Sequence, residues 1–309
     1  MKYYVNLGFI FLSLTFTFCS KKSTQIVEIT PPPVEQEIVT EVGPMYEFAP
    51  ESSGLVLSDG FIYTFNDSGN PSAFYKVNPL NGELIQSISV SNYDNKDWED
   101  ITADHDYIYI GDFGNNNGTR TDLKILKISK AQFINNPSSA ISVKAESIQF
   151  SYSEQTKFIS TSTHNFDCES IISKGDSLYI FTKDRGDNNT NVYKLPKSPG
   201  QYSISKIASY VVNGLITGSD YNVQTNELVL IGYTSGDRNS FIYLFSNFKN
   251  DAFFTGDVAK KVIGNEKNDW KTEGIAFGST DGKNIFLSCE TTSFSKSKLF
   301  KTNKMKLSF

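Results

Sequence analysis

The chain has 309 residues with 24 Phe and 16 Tyr against three Met, and its Ser, Thr, Asn and Gly content suits short strands joined by polar turns. No helical period persists beyond about two turns after the N-terminal segment. The net charge of −5 is mild and scattered, and without a basic stripe it excludes nucleic acid as a partner.

Met1 to Cys19 reads as a targeting segment: Lys2 supplies the positive start, and Val5 to Phe18 is apolar but too short to span a bilayer comfortably. Cys19, followed by Ser20-Lys21-Lys22, resembles the lipidation site of a bacterial lipoprotein, although Phe16-Thr17-Phe18 departs from the usual small residue before the Cys. The expectation is export and lipid anchoring to the cell envelope, outer membrane included, or plain secretion if Cys19 is not lipidated. Residues 20–36, with Pro31-Pro32-Pro33 among Glu, Thr and Gln, read as a flexible tether. Residues 37–309 form the folded domain. Cys168 and Cys289 fall in non-neighbouring repeats and read as two small buried residues rather than a disulfide framework.

Ile38 to Phe48 looks like a lone strand. Five repeats follow, starting at 51, 99, 169, 217 and 273, so that successive starts lie 48, 70, 48 and 56 residues apart. The first has strands at Gly54–Leu57, Phe61–Phe65, Phe74–Val77 and Leu84–Val90, with Asn78-Pro79-Leu80-Asn81-Gly82 as a turn. The second runs from Glu99 through Tyr107–Ile110, Leu123–Ile128 and Val143–Phe150 into a polar loop, Ser153 to Phe166. The third has Ile171, Leu178–Thr182, Asn191–Leu195 and Tyr202–Tyr210. In the fourth, Thr217 stands where other repeats have Glu, and strands follow at Glu227–Tyr233, Phe241–Phe245 and Ala252–Ile263. The fifth holds Gly274–Phe277, Ile285–Cys289 and Leu299–Lys301.

Four short antiparallel strands per unit predict an all-β chain folded as a single β-propeller. Five blades are favoured over six, and the strand near Ile38–Phe48 closes the ring by completing the last blade. The 70-residue interval is the place where a sixth blade would hide.

In such a blade the first strand starts beside the end of the second, so both open on one mouth of the ring. Glu51, Glu99, Glu169 and Glu273 open first strands, while Asp67, Asp112, Asp184 and Glu290 close second strands. Eight carboxylates at one mouth repel one another unless a positive charge sits among them. Calcium, a hard cation that prefers oxygen ligands, answers that need; Lys183 and Arg185 offer a competing neutralisation without metal. Trp98, Trp270 and Phe166 each precede a repeat's Glu, either as walls for a small-molecule or glycan ligand or as wedges between blades.

The segments Asp97-Trp98-Glu99-Asp100-Ile101, Tyr109-Ile110-Gly111-Asp112-Phe113-Gly114-Asn115, Asp167-Cys168-Glu169-Ser170 and Thr272-Glu273-Gly274-Ile275 resemble the phytase-like, NHL and gluconolactonase-type propellers of exported bacterial proteins. That resemblance implies a divalent cation in the channel, with Glu273 in the best-matching context. It also implies calcium and phosphate esters, for which Lys183, Arg185, Lys96 and Lys271 are few basic residues. No Gly-x-Ser-x-Gly occurs, His105 and His164 sit in turns or loops, and no organic cofactor is expected. Two readings stand: a membrane-tethered binding or scaffold module with a cation-holding mouth, and a metal-dependent esterase, lactonase or phosphoesterase with Glu99, Glu169 and Glu273 as candidate catalytic groups.

Overall fold

Short turns fix the hairpins from which the ring is built. Between β2 (Ser52–Ser58) and β3 (Phe61–Asn66), Asp59 and Gly60 both take positive φ, 53° and 81°, the two-residue geometry whose twist matches antiparallel strands. The computed structural model describes residues 38–265 and 271–307, together with Met1. The leader, Cys19, the tether and Trp270 lie outside the described residues.

Blade one adds β4 (Ala73–Val77) and β5 (Leu84–Val90) to that hairpin. Blade two consists of β6 (Trp98–Ala103), β7 (Tyr107–Asp112), β8 (Lys124–Ser129) and, after β9 (Ala140–Val143), β10 (Glu146–Tyr152). Blade three has β11 (Cys168–Lys174), β12 (Ser177–Thr182), β13 (Thr190–Pro196) and, after β14 (Gly200–Ile204), β15 (Lys206–Tyr210). Blade four is β16 (Leu215–Asn222), β17 (Glu227–Tyr233), β18 (Asn239–Ser246) and β19 (Asp257–Asn265). Blade five is β20 (Thr272–Phe277), β21 (Asn284–Cys289) and β22 (Lys298–Asn303), completed by β1 (Thr40–Pro44) paired antiparallel to β22.

The fold is a five-bladed β-propeller. The lone strand near Ile38–Phe48 does close the ring, in the shorter form Thr40–Pro44. The 70-residue interval contains no sixth blade. Instead β9 leaves blade two to pair parallel with β5 of blade one, and β14 leaves blade three to pair parallel with β10 of blade two.

Alternation along each strand sends side chains to opposite faces, so every blade contributes to two apolar layers. Ile108 and Ile110 join Phe65, Phe74 and Trp98 between blades one and two. Tyr109, between them in sequence, joins Ile171 and Ile180 on the other side. Equivalent layers lie between the remaining pairs, and Val39, just before β1, packs with Leu244 and Ile263 of blade four. Cys168 and Cys289 are buried, unbridged thiols in separate layers.

The inner strands approach so closely that the axis is blocked. A Cβ on Gly54 would lie 2.5 Å from Ile101 N, which restricts that position to glycine. Asp100, at the axis, receives Ile171 N at 2.8 Å and Ser219 N at 3.4 Å, tying blade two to blades three and four. The ring therefore presents a cup rather than a bore.

Candidate functional site

Each inner strand carries a bulge at the same place. Pairing is irregular between Ser52 and Leu55, Trp98 and Asp100, Cys168 and Ser170, Ile216 and Gly218, and Thr272 and Ile275. An extra residue in one strand re-aims its side chain. Glu99, Glu169 and Glu273 occupy the bulges of blades two, three and five, and Ser53 that of blade one; all four line a cup of about 270 Å³. Thr217, in blade four, donates instead to the Thr272 carbonyl at 3.1 Å.

A second tier comes from a residue just past each of four second strands, the first residue after it in blades one, three and five and the second in blade two. Its N–H returns to the carbonyl two residues before the bulge, as in Asp67 to Glu51, Gly114 to Asp97, Lys183 to Asp167 and Glu290 to Lys271. Asp67, Lys183 and Glu290 thereby face the cup, and Tyr233 does so in blade four. Blade two has Gly114 at this place, where a Cβ would collide with Glu99 Oε1 and lie 2.5 Å from Asp97 Oδ2.

Five of the eight expected carboxylates thus meet: Asp67, Glu99, Glu169, Glu273 and Glu290. Three do not. Asp112, the last residue of β7, pairs across to Trp98, lies two residues before Gly114 and turns its carboxylate to Arg120 at 2.8 Å and Lys124 at 2.9 Å. Asp184 lies one residue beyond Lys183 and is buried against Asn191 Nδ2 at 2.6 Å. Glu51 precedes the bulge by two residues, is exposed, and accepts from Asn70; its place at the mouth falls to Ser53.

The cup's charges separate by blade. On blades three and five, Lys183 Nζ lies 3.0 Å from Glu169, Arg185 Nε 3.1 Å from Asp167, and Lys271 bonds Glu290 with Glu273 at 3.8 Å. Burial pulls Lys183 down, but Glu169, Tyr233 and Glu273 together hold it well above an ordinary lysine. Arg238 reaches the rim over the Tyr233 ring at 5.3 Å. Lys183 and Arg185 therefore supply the metal-free neutralisation, on that side of the cup.

On blades one and two the acids lack such close partners among the described residues. Asp67, Asp97 and Glu99 bring carboxylate oxygens within 4.8 Å of one another. Arg120, 4.0 Å from Asp97, is the nearest cation paired with this trio among the described residues. Glu99 is 5% exposed, and no described residue hydrogen-bonds or ion-pairs its carboxylate. Burial first, then Glu169, Asp67 and Asp97, push Glu99 well above the usual carboxylate range. Burial and then Asp67 raise Asp97 to about 6. Three hard oxygen donors with a side-chain-free Gly114 beside them fit a divalent cation of the calcium class.

The aromatic expectations divide. Trp98 is fully buried, edge-on to Phe65 at 5.6 Å, and wedges between blades one and two. Phe166 packs on Tyr152 at 5.4 Å, outside the cup. Trp270 lies outside the described residues. Lys96 pairs with Asp122 at 2.7 Å, away from the cup, His105 is exposed, and His164 braces the Asn116 carbonyl at 3.2 Å. Sequence reasoning passed over Asp97, Tyr233 and Arg238 as site residues, while Asn116 falls in the oxygen-rich loop Asp112 to Asn117 that reads as a source of further ligands. The signal for Asp97 was its place two residues before Glu99, matching Asp167 before Glu169.

No protein-family model matches the chain, and no curated protein matches its sequence. Solved propellers do share its fold. An exo-β-1,3-galactanase from Phanerochaete chrysosporium, crystallised with β-1,3-galactotriose, is 11% identical over 85% of this chain and 63% of its own, with a TM-score of 0.50. A calcium-binding protein, regucalcin, from Agrobacterium tumefaciens is 9% identical over 85% and 92%, with a TM-score of 0.44. A 6-phosphogluconolactonase-like protein from Bacteroides uniformis is 12% identical over 79% and 66%, at 0.39. At such identities the likeness concerns the fold alone.

Proposed function

We propose that this propeller is a cation-binding module of the cell envelope, holding one divalent cation of the calcium class between Asp67, Asp97 and Glu99. The carrying observation is Glu99, an almost fully buried carboxylate without a counter-charge among the described residues, aimed at two further acids. Such a group stays ionised only if a positive charge joins it. The cation orders this wall of the cup, and its outward coordination positions face the space lined by Tyr233 and Arg238, where a small polar or glycan ligand is captured. Anchoring through lipidated Cys19 belongs to the same proposal and rests on the Lys2, Val5–Phe18, Cys19 pattern; incorporation of labelled fatty acid that persists in Cys19→Ala would sink it.

Metal analysis of the purified protein, with melting measured in calcium and in chelator, tests the cation site. The expected result is one equivalent of cation and a rise of several degrees on loading, since a ligand at 100 times its Kd stabilises by about 2.7 kcal/mol. No bound cation and identical melting curves would overturn the reading. The same cup would serve a hydrolase, and turnover of esters, lactones and phosphoesters by the loaded protein, abolished in Glu99→Gln, separates that alternative from binding alone.

A further inference from the structure

Asp112, expected at the mouth, does something else, and its partners show what. Its Oδ1 accepts the backbone N–H of Asp97 at 3.2 Å and Arg120 Nη2 at 2.8 Å. Arg120 in turn gives Nη1 to the Gly114 carbonyl at 2.8 Å and Nε to Asp122 Oδ1 at 3.2 Å, while its own N–H bonds Asn115 Oδ1 at 2.9 Å. Gly114 N–H closes back on the Asp97 carbonyl at 3.1 Å. Thus both backbone ends of Asp97, and the one residue whose missing side chain leaves room for Glu99 and Asp97, hang from a single pair, the buried Asp112 and the largely covered Arg120.

We propose that the Asp112–Arg120 pair is the positioning device of the cation site, fixing Asp97 and Gly114 so that the Asp67–Asp97–Glu99 oxygens converge. This rests on the cation reading above; neither residue touches the cation. Outer partners of metal ligands commonly govern affinity about 10–100-fold. Two physical effects oppose here. Arg120 lies 4.0 Å from Asp97 Oδ2, so its charge repels an incoming cation and its removal, by Coulomb's law alone, strengthens binding. Its planar fork, by contrast, holds three groups at fixed angles, which lysine does not reproduce. The number of bonds converging on Asp97 and Gly114 makes positioning the larger effect.

Calcium titration of the full purified chain by calorimetry, comparing wild type with Arg120→Lys, Arg120→Ala and Gly114→Ala, decides it. Both Arg120 variants are expected to weaken calcium about 10–100-fold, with Lys failing to rescue although it keeps the charge, and Gly114→Ala to abolish binding. Melting in chelator, recorded alongside, distinguishes a folded protein with a misplaced site from an unfolded one. If an Arg120 variant fails to fold, Asp122→Asn, which weakens the outer support of the guanidinium together with the exposed Lys96 pair, is titrated instead, with a loss of several-fold expected. Unchanged or tighter calcium binding in folded Arg120→Ala, or full rescue by Arg120→Lys, would overturn the positioning role while leaving the cation site intact. A wild type that binds no calcium would overturn the cation site itself, and the positioning role with it.

Discussion

Glu99 and Glu169 occupy the same bulge in adjacent blades yet stand in opposite electrostatic settings. Glu169 has Lys183 at 3.0 Å, whereas Glu99 lies against Asp67 and Asp97 with no ion-pair partner among the described residues. Without a cation a carboxyl so placed holds a proton rather than a charge, so Glu99→Gln is expected to leave the melting temperature in chelator near the wild-type value at neutral pH and to exceed it only as the pH rises into the alkaline range. The same variant should lose the calcium-induced rise. A lower melting temperature in chelator would show that Glu99 is compensated by something other than a cation. Which acids reach the cup was only partly legible in the sequence. Glu99, Glu169 and Glu273 stand out because a bulge repeats beneath them. Asp184 was misplaced because a step of one residue along a strand reverses the side chain, and Asp112 because blade two sets Phe113 between the end of β7 and the inward Gly114; nothing local marks which residue is the last to pair.

At the scale of the strand, the four-stranded blade was readable because turns such as Asp59-Gly60 and Asn78 to Gly82 punctuate it. The two parallel strands were not. β9 and β10 overlap the run read as Val143–Phe150, and β14 and β15 that read as Tyr202–Tyr210, where breaks at Lys144-Ala145 and Ser205 carry no turn chemistry. Their pairing is non-local, and periodicity within one segment does not report it. The closing strand β1 is short but doubly held: it pairs with β22 from Thr40 to Pro44, and a Cβ on its Gly43 would collide with the Asn81 carbonyl of blade one. Deleting residues 38–44 leaves β22 as an open edge and removes Val39 from the blade four–five layer. The expected outcome is a broad, less cooperative thermal transition with concentration-dependent association on gel filtration; a sharp transition near the wild-type temperature would mean that the ring closes without β1.

The whole molecule carries an unusual set of acids displaced upward. Burial first raises Asp97 and Asp220 to about 6, Asp184 to about 7 and Glu273 to about 8. Each binds its proton more tightly folded than unfolded, so its contribution to stability is full at low pH and is lost as pH rises through the folded value. Acids shifted the other way, Asp122 and Asp251 at about 2, stabilise above the usual carboxylate range and lose that contribution in stronger acid. The chelated protein is therefore expected to be most stable near pH 5, with melting falling by about 5 °C toward pH 8. Calcium should flatten the decline by replacing protons at the trio, and a melting temperature that instead rises from pH 5 to 8 in chelator would contradict this balance.

The borrowed strands also impose an order in time. Blade one waits for residue 143 and blade two for residue 204 before their outer edges are covered, while blade five needs both the first and last strands of the ring. During synthesis blades one and two are finished only by material from their successors. Folding from the N-terminal side therefore begins with open sheets, and the cup, whose walls draw on all five blades, takes shape only when the final strand arrives.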